Sequence, residues 1–431
     1  MGSFKRERLV LAYSPTWKRQ TNFETPLALT DLTAAFALLN KRWPGTNLSL
    51  EDVRGCTGRH LVDRILTSRV MSWGLEFNVG PTLLAGAAAL LYGTAAAPTG
   101  TPADEVQTIT VTATGGTFTI AFTFEGLTET TPALAFNATA AVVKAALENL
   151  RSIKPGNVTV ALSGGVYTVT FVGDLAKANV PALVVDGAAL TGGTATVATT
   201  TSGVQRAHAI TRMTADQGPA ISFVVGFEGQ PDTYVRYKSA VAADLNVTAE
   251  RRQIVRATLS LRGSAEVEAV PSFVMPACAT QDIIRAAQCR ATVDGVYYSD
   301  IVRLAYSSSN NVLDGDDAFP FDDYDVSRLE VGEQWQPSYD LQVYGSNNDP
   351  LYTLGKALSK KAVALHFGPP GNRVSFNAAS TLLQLSNDEL TFSGQAARST
   401  IPITATPLEV AGAAPDTVTA NVAQSTAFIS T

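Results

Sequence analysis

Alternating apolar and polar positions predict short strands through the middle of the chain. Such alternation is typical of strands that bury one face. The alternating runs lie at 106–113, 117–124, 158–162, 166–172, 183–186 and 194–200. A Thr-Gly-Gly-Thr turn at 114–117 and a Ser-Gly-Gly-Val turn at 163–166 predict hairpins between neighbouring runs.

One predicted helix interrupts these strands. Asn137 is the predicted N-cap, and Pro155 the predicted stop signal. The apolar face of the helix consists of Val142, Val143, Ala146, Leu147 and Leu150. A single amphipathic helix among short strands predicts a small α+β domain whose helix covers one sheet face. Its flanks, 95–102 and 199–203, are linker-like in composition, so 105–203 is predicted to be inserted into a host domain.

The host sequence repeats an order of elements. An alternating strand, a proline and a helix follow one another at 72–93 and again at 337–360, with Pro81 and Pro350 at the helix starts. Further matching segments are 221–227 with 362–367, 235–247 with 374–386, and 254–263 with 399–408. This order predicts a duplicated β-domain, and the alternative is one large sandwich in which the order recurs by chance.

The repeat and the insertion together predict the domain organisation. The predicted units are 1–104 (first part of copy 1), 105–203 (insert), 204–270 (second part of copy 1), 271–410 (copy 2) and 411–431 (a loosely ordered C-terminal tail).

Composition narrows the function classes. The chain has 431 residues, of which 45% are apolar and 16% charged, with a net charge of −6. An acidic balance argues against wrapping by nucleic acid, which requires a basic excess. The basic start of the chain lacks the apolar core of a signal peptide, and no apolar run is long enough for a membrane helix. The 3 cysteines cannot form a disulfide framework and are expected to be reduced.

Candidate chemistry in the sequence is sparse. Cys56 and His60 form the one pair that could suggest a nucleophile and its base, with ordinary packing as the alternative. The acidic stretch 314–325 has Phe319 at the sixth position and Asp325 at the twelfth, a poor match to a calcium loop. The glycine-rich run 368–372 predicts a turn. We therefore predict no catalytic, cofactor-binding or metal-binding residues and no enzymatic activity.

Two parts of the chain resemble modules of long-tailed bacteriophages. The host resembles the tail tube protein over KRQTNFETPLAL (18–29), SWGLEF and PTLL (72–84), and HAITRM, ISFVVGFEG, VRYKSAVAADLNV and VRATLSLRG (208–263). The insert is similar to a decoration module of phage virion proteins over 114–150 and GNVTVALSGGVYTVTFVGDLA (156–176). The expected fold class is therefore mainly β: a duplicated tail-tube β-sandwich or barrel domain with flanking helices, plus an inserted small α+β domain.

The resemblance implies an assembly. Tail tube subunits donate strands to a closed β-barrel, and the rings stack head to tail around a channel for the genome. Most such rings contain six single-domain subunits, so a duplicated chain implies a trimeric, pseudo-hexameric ring, with a true hexamer as the alternative. The insert is expected to project outward, and DNA to pass without specific binding. Other tail proteins are expected at the tube ends, and no membrane partner. The implied location is the virion, after synthesis in the host cytoplasm.

Two stretches and one other function class complete the predictions. The stretches 18–29 and 40–70 lack strand alternation and are expected to be loops that contact the next ring. The alternative function is a β-domain surface adhesion or carbohydrate-binding protein, which exposed aromatic residues in the insert would favour. The aromatic residues of the insert instead fall at alternating, core-like positions: Phe118, Phe122, Phe124, Phe136, Tyr167 and Phe171.

Overall fold

The protein is mainly β in a computed structural model. The structure describes residues 8–14, 18–20, 26–39, 43–54, 61–213, 218–278, 282–298, 301–313, 330–331, 337–344, 350–385, 391–393, 398–410, 414–422 and 425–429. As predicted, β-strands dominate, and helices are few among these residues.

The chain begins with strands that lead into a buried helix. These elements are β1 (Leu9–Tyr13), β2 (Ala34–Ala37), β3 (Gly45–Arg54), β4 (Leu61–Asn78), α1 (Pro81–Tyr92) and β5 (Gly93–Ala95). Pro81 lies in the first turn of α1, where its missing N–H has no cost, and Gly93 ends the helix at φ +87°. Every residue of α1 except Thr82 is buried, as expected for a helix that is apolar on all sides.

Residues 105–203 form sheets of their own. The elements are β6 (Val106–Val111), β7 (Gly115–Phe124), β8 (Leu127–Thr130), β9 (Leu134–Ala135), α2 (Ala140–Glu148), β10 (Val158–Ser163), β11 (Val166–Phe171), β12 (Val184–Asp186), β13 (Leu190–Thr191) and β14 (Ala195–Thr201). One sheet has the order β10-β11-β6-β14, and in the other β7 pairs with β8, β9, β12 and β13. Apolar side chains from both sheets and α2 pack into one separate core.

The local predictions for this segment are partly right. The turn after Ser163 does join β10 to β11, with Gly164 and Gly165 both at positive φ. The predicted hairpin across 114–117 is wrong, because β6 and β7 belong to different sheets. The predicted N-cap is also wrong: Thr139 caps α2, and its hydroxyl accepts a hydrogen bond from the Val142 N–H.

The helix α2 differs from its prediction in two further respects. It ends at Glu148, well before the predicted stop at Pro155. Val142, assigned to the apolar face, is 51% exposed, whereas Val143 and Leu147 are fully buried. The buried stripe consists of Val143, Ala146 and Leu147, and Val142 lies at its edge, on the side that faces solvent.

The chain then returns to the sheet that it left. The returning strands are β15 (Ala207–Arg212), β16 (Ile221–Phe227), β17 (Val235–Glu250), β18 (Arg256–Gly263) and β19 (Val267–Ala269). Together with β1–β5 they form what we call the first strand set.

A second strand set follows. Its elements are β20 (Arg290–Val293), β21 (Val296–Tyr298), β22 (Ile301–Ser309), β23 (Val312–Leu313), β24 (Glu330–Val331), β25 (Ser338–Tyr344), α3 (Pro350–Lys356), β26 (Lys360–Phe367), β27 (Arg373–Leu385), β28 (Thr391–Ser393), β29 (Arg398–Pro407) and β30 (Thr417–Asn421). Short 3-10 turns occur at Leu29–Asp31, Gly173–Leu175, Pro231–Thr233 and Ala286–Gln288.

The two strand sets have the same internal order. Antiparallel pairing runs β16-β17-β18-β4 in the first set and β26-β27-β29-β25 in the second. Outer strands also correspond: β1 and β2 extend β16 as β20 and β21 extend β26, and β19 pairs with β17 as β30 pairs with β27. The segments that match in sequence therefore occupy matching places in the sheet.

The end of the chain is part of this sheet. The stretch 411–431 was expected to be a loose tail, but β30 within it pairs on one side with β15 and on the other with β27. Val418, Ala420 and Phe428 are buried. The last strand thus joins the first strand set to the second.

Candidate assembly interface

The two strand sets meet at a continuous strand pairing. The second half of β17 pairs antiparallel with β22, from Asp244 opposite Ser309 to Glu250 opposite Arg303. The other edge of β22 pairs with β25. One sheet therefore crosses from the first set into the second, and we call this β17–β22 pairing the internal joint.

The internal joint buries one face and exposes the other. Leu245 and Val247 on β17 are fully buried, as is Tyr306 on β22, whereas Asn246 is exposed. This alternation is typical of a sheet with one face on a core. The buried side chains belong to the main core, which both strand sets share.

A buried carboxylate holds the end of the chain at this junction. Asp416 is 1% exposed, and its Oδ2 accepts hydrogen bonds from the hydroxyls of Tyr92 (2.7 Å), Tyr339 (3.2 Å) and Tyr306 (3.5 Å). Burial raises the pKa of Tyr92 well above its ordinary value, so its hydroxyl keeps the proton that it donates. The cluster connects α1, the second strand set and the segment before β30.

Among the strand edges that lack a second partner in the described residues, two correspond in position to the internal joint. Within the described residues, β3 pairs with β4 alone. On β27, the pairing with β26 ends with Leu382 opposite Lys360 and a hydrogen bond from the Leu383 N–H to the Ser359 carbonyl. Gln384 and Leu385 continue β27 past that point and pair there only with β29. An unpaired strand edge is a template for another strand.

A long hairpin extends beyond the sheet. The pairing of β18 with β4 stops at Met71, and among the described residues 61–70 pair with β3 only. At about 3.3 Å per residue, this part of the hairpin reaches about 30 Å. It carries Leu48 and Leu50, which are 56% and 47% exposed. The stretch 40–70 was expected to be a loop, so that prediction is wrong for Gly45–Arg54 and for 61–70. The irregular register between Ser49 and Leu50 breaks the period-two pattern that reveals strands.

The described parts of the stretch 18–29 pack against the first strand set. Gln20 is buried, and its side-chain amide donates to the Ser222 hydroxyl (2.9 Å) and to the Lys238 carbonyl (2.7 Å). The Leu27 N–H also donates to the Ser222 hydroxyl, at 2.9 Å.

Residues 105–203 sit on the second strand set, although they interrupt the first. Glu125 forms ion pairs with Arg290 and with Arg373, the latter at 2.6 Å, and its side chain is 11% exposed. The Gly371 N–H donates to the Asp174 carbonyl at 3.0 Å. The glycine-rich run 368–372, predicted to be a turn, thus contacts the insert.

The charges at this contact are strongly coupled. Burial by itself would raise the pKa of Glu125, but the adjacent charges of Arg290 and Arg373 outweigh it, and the pKa is lowered. Neighbouring His366 is buried, and burial together with the charge of Arg373 lowers its pKa to about 3, so it is neutral near pH 7. These groups form a structural contact between the insert and the second strand set.

The residues that the sequence singled out for their chemistry are only partly described. Cys56, His60 and the acidic stretch 314–325 lie outside the described residues. His208 packs against the Phe428 ring at 4.7 Å. Burial raises the pKa of Cys289 to about 12. In the described part of the chain, no group of three or more His, Cys, Asp or Glu side chains could hold a metal ion.

The strand edges and the Asp416 cluster are what sequence reasoning missed. The sequence signal that could have revealed the strand edges was the match between 72–93 and 337–360, which places β3 and β22 at corresponding positions.

No protein-family model matches the chain, and no curated protein matches it significantly. Among the described residues, no helix is long and apolar enough to cross a membrane.

Proposed function

We propose that this protein is the structural subunit of a phage tail tube, polymerising into stacked rings whose β-barrel lumen conducts the genome. The observation that carries the proposal is the recurrent strand order joined edge to edge through the internal joint, with open edges at the corresponding places on β3 and on the end of β27. A strand set that pairs with its own repeat can pair with further copies of the chain through the same contact. If each contact rotates the next copy by the same angle and the last copy meets the first, the assembly is a ring.

The ring contains three copies of the chain. In tubes of the family that the host resembles, six single-domain units usually form one ring, and each chain here supplies two strand sets of matching order. Closure pairs the open strand edges that would otherwise lead to aggregation. A ring of six chains is the alternative.

The insert decorates the outside of the tube. Its core is separate from that of the strand sets, and its contacts with them include the Glu125 ion pairs and the hydrogen bond to the Asp174 carbonyl. A lumen that contained such a domain would be blocked for DNA. The net charge of −6 is consistent with passage of DNA without specific binding. Other tail proteins bind at the tube ends, and the location is the virion.

Ring-to-ring contact is assigned to the projecting β3–β4 hairpin. Exposed Leu48 and Leu50 give it an apolar surface at a distance from the sheet. Of the six aromatic residues of the insert considered above, Phe136 is half-buried and the other five are buried. The alternative is a β-domain surface adhesion or carbohydrate-binding protein, which exposed aromatic rings in the insert would favour.

Electron microscopy of the purified protein tests the proposal. We expect negative-stain images of hollow rings and tubes, and averaged end-on views with three peripheral lobes, one for each insert. A protein that stays monomeric at high concentration, in sedimentation as well as in images, contradicts a tube function. Six lobes on each ring would support the hexameric alternative.

A further inference from the structure

We propose that β27 of one chain pairs antiparallel with β3 of the next chain, with Gln384 opposite Asn47 and Leu385 opposite Thr46. The partner of this surface is a second copy of the same chain. The inference rests on the proposed function only in requiring that the chain assembles, and it assigns residues to a contact that the ring proposal leaves unspecified.

The position of Leu385 follows from the strand register. In the first set, Leu245 lies opposite Leu259, which lies opposite Leu75. In the second set, Leu385 lies opposite Ile403, which lies opposite Leu341. Leu75 and Leu341 are the matching residues of the segments SWGLEF and SYDLQV. By strand pairing, Leu385 therefore takes the place of Leu245 and Gln384 that of Asp244. This is one residue further along β27 than the direct match of 235–247 with 374–386 gives, since irregular pairing interrupts both strands before this point.

The position of Thr46 follows in the same way. Ser307 on β22 lies opposite Ser338, and Gly45 on β3 lies opposite Ser72. Ser338 and Ser72 begin the same two matching segments. Thr46 therefore takes the place of Ser308, and Asn47 that of Ser309.

The register of the internal joint then predicts which residues of β27 and β3 lie opposite each other in two neighbouring chains. Leu245 lies opposite Ser308, and Asp244 lies opposite Ser309. Transferred to the corresponding residues, this register places Leu385 opposite Thr46 and Gln384 opposite Asn47. The same contact that joins the two strand sets within a chain thus joins the second set of one chain to the first set of the next.

The solvent exposure of residues on β3 and β27 is consistent with a neighbouring strand that the single chain lacks. Ser308 is 4% exposed inside the internal joint, whereas Thr46 at the corresponding place is exposed. Asn47 and Gln384 are exposed as well. Since β3 and the end of β27 have open edges among the described residues, a neighbouring strand can add at both without displacing another.

The burial of the two corresponding helices, α1 and α3, gives a second and independent indication of a missing neighbour. Contacts with β27 and β30 help to bury α1 on all sides. Among the described residues, the main contacts of the corresponding helix, α3, are with β27 and β29 of its own set, and Thr353 and Lys356 are exposed. A neighbour joined through β27 and β3 would place its own β17 and β19 over this face of α3.

Disulfide trapping tests the register. Directly opposite residues of an antiparallel pair have Cβ atoms about 4.5–5.5 Å apart, close enough for cysteines to be linked with a small adjustment. We expect the Asn47→Cys/Gln384→Cys variant, oxidised with copper phenanthroline or treated with a short bismaleimide, to give linked dimers and trimers and no larger species. Each single variant should stay uncrosslinked, which also controls for the native cysteines.

A shifted pair is the matched control. In Leu48→Cys/Gln384→Cys the new side chain on β3 points to the opposite face of the sheet, so linked product should fall at least tenfold. Equal linking of both pairs, or no linking of the Asn47 pair, overturns the proposed register. Linked ladders beyond three chains overturn closure at three.

Microscopy of the same samples separates this inference from the proposed function. Rings without linkage refute the β27–β3 register and leave the tube function intact. Linkage without rings or tubes supports the strand pairing and refutes the tube function. Absence of both contradicts both proposals.

Discussion

At the scale of single residues, buried charge determines where the insert is held. Glu125 lies in the turn between β7 and β8 and reaches two arginines of the second strand set, Arg290 on β20 and Arg373 on β27. All three side chains are at most 20% exposed. Little solvent reaches this site. Removing one charged group therefore leaves its partner buried without a compensating charge.

Replacement of Glu125 by Gln should open this contact. Because loss of one partner of a buried ion pair costs about 3–5 kcal/mol, we expect Glu125→Gln to lower the free energy of local opening by about 3 kcal/mol. Hydrogen–deuterium exchange over 123–128 and 366–373 measures the effect. Asp294→Asn is the control, since its ion pair with Lys361 is 45% and 34% exposed and should contribute less than about 1 kcal/mol. Unchanged exchange in Glu125→Gln would show that the insert is held by other contacts.

The same contact should weaken in acid. The pKa of Glu125 is lower in the folded protein than its ordinary value, so its stabilisation is complete above about pH 4.3 and is lost as the pH falls through the folded pKa. After correction for the intrinsic pH dependence of amide exchange, protection at 123–128 should fall in that range in the natural protein and stay constant in Glu125→Gln. An equal fall in both proteins would assign the acid effect to other groups.

At the scale of elements, the important distinction is between strands that complete the sheet and strands that leave it. β30 fills a gap between β15 and β27, whereas β3 and the first part of β4 continue past the end of β18. The projecting pair is therefore the part that we propose to contact another ring.

Charge on the projecting hairpin should stop stacking while rings still form. We expect Leu48→Lys/Leu50→Lys to give single rings and to reduce tube length at least tenfold in electron micrographs, because apolar contact is replaced by repulsion between like charges. Folding should be little affected, since both side chains are about half exposed. Val184→Lys, at a site 63% exposed on β12, should leave the tubes unchanged. Tubes of normal length in the double variant would exclude the hairpin from the ring-to-ring contact.

At the scale of the whole molecule, the insert is joined to the first strand set through a narrow neck. Ala103 and Val204 are bridged by two backbone hydrogen bonds of 3.0 and 2.9 Å. The main core contains no residue of the insert core. A tight turn between Ala103 and Val204 can therefore replace the insert and keep the first strand set continuous.

Replacement of 105–203 by one glycine should preserve assembly. The new sequence Ala103-Asp104-Gly-Val204 forms an Asp-Gly turn suited to an antiparallel pair. We expect rings of natural diameter without peripheral lobes, seen by electron microscopy, after circular dichroism shows a folded protein. A folded variant that no longer assembles would mean that the insert contributes to the ring.

The sequence predicted those features that depend on neighbouring residues. The alternating runs of 105–203 all correspond to strands, because each strand buries one face within its own domain. The positions of α1 and α3 after Pro81 and Pro350 were also predictable from local signals. The hairpin across 114–117 was not, since the turn leads β7 into another sheet.

Other features depended on contacts between distant residues. The strand β30 is short. Its apolar positions are buried because β15 and β27, which are distant from it in sequence, pair with its two edges. The hairpin β3–β4 escaped recognition because irregular register interrupts its alternation. The sequence by itself determined the mainly β character, the strands of the insert and the repeated order of host elements, because apolar periodicity is a local property. Only the tertiary structure decided which edges pair, which stay open and where the insert rests, because strand partners are selected by long-range burial and register.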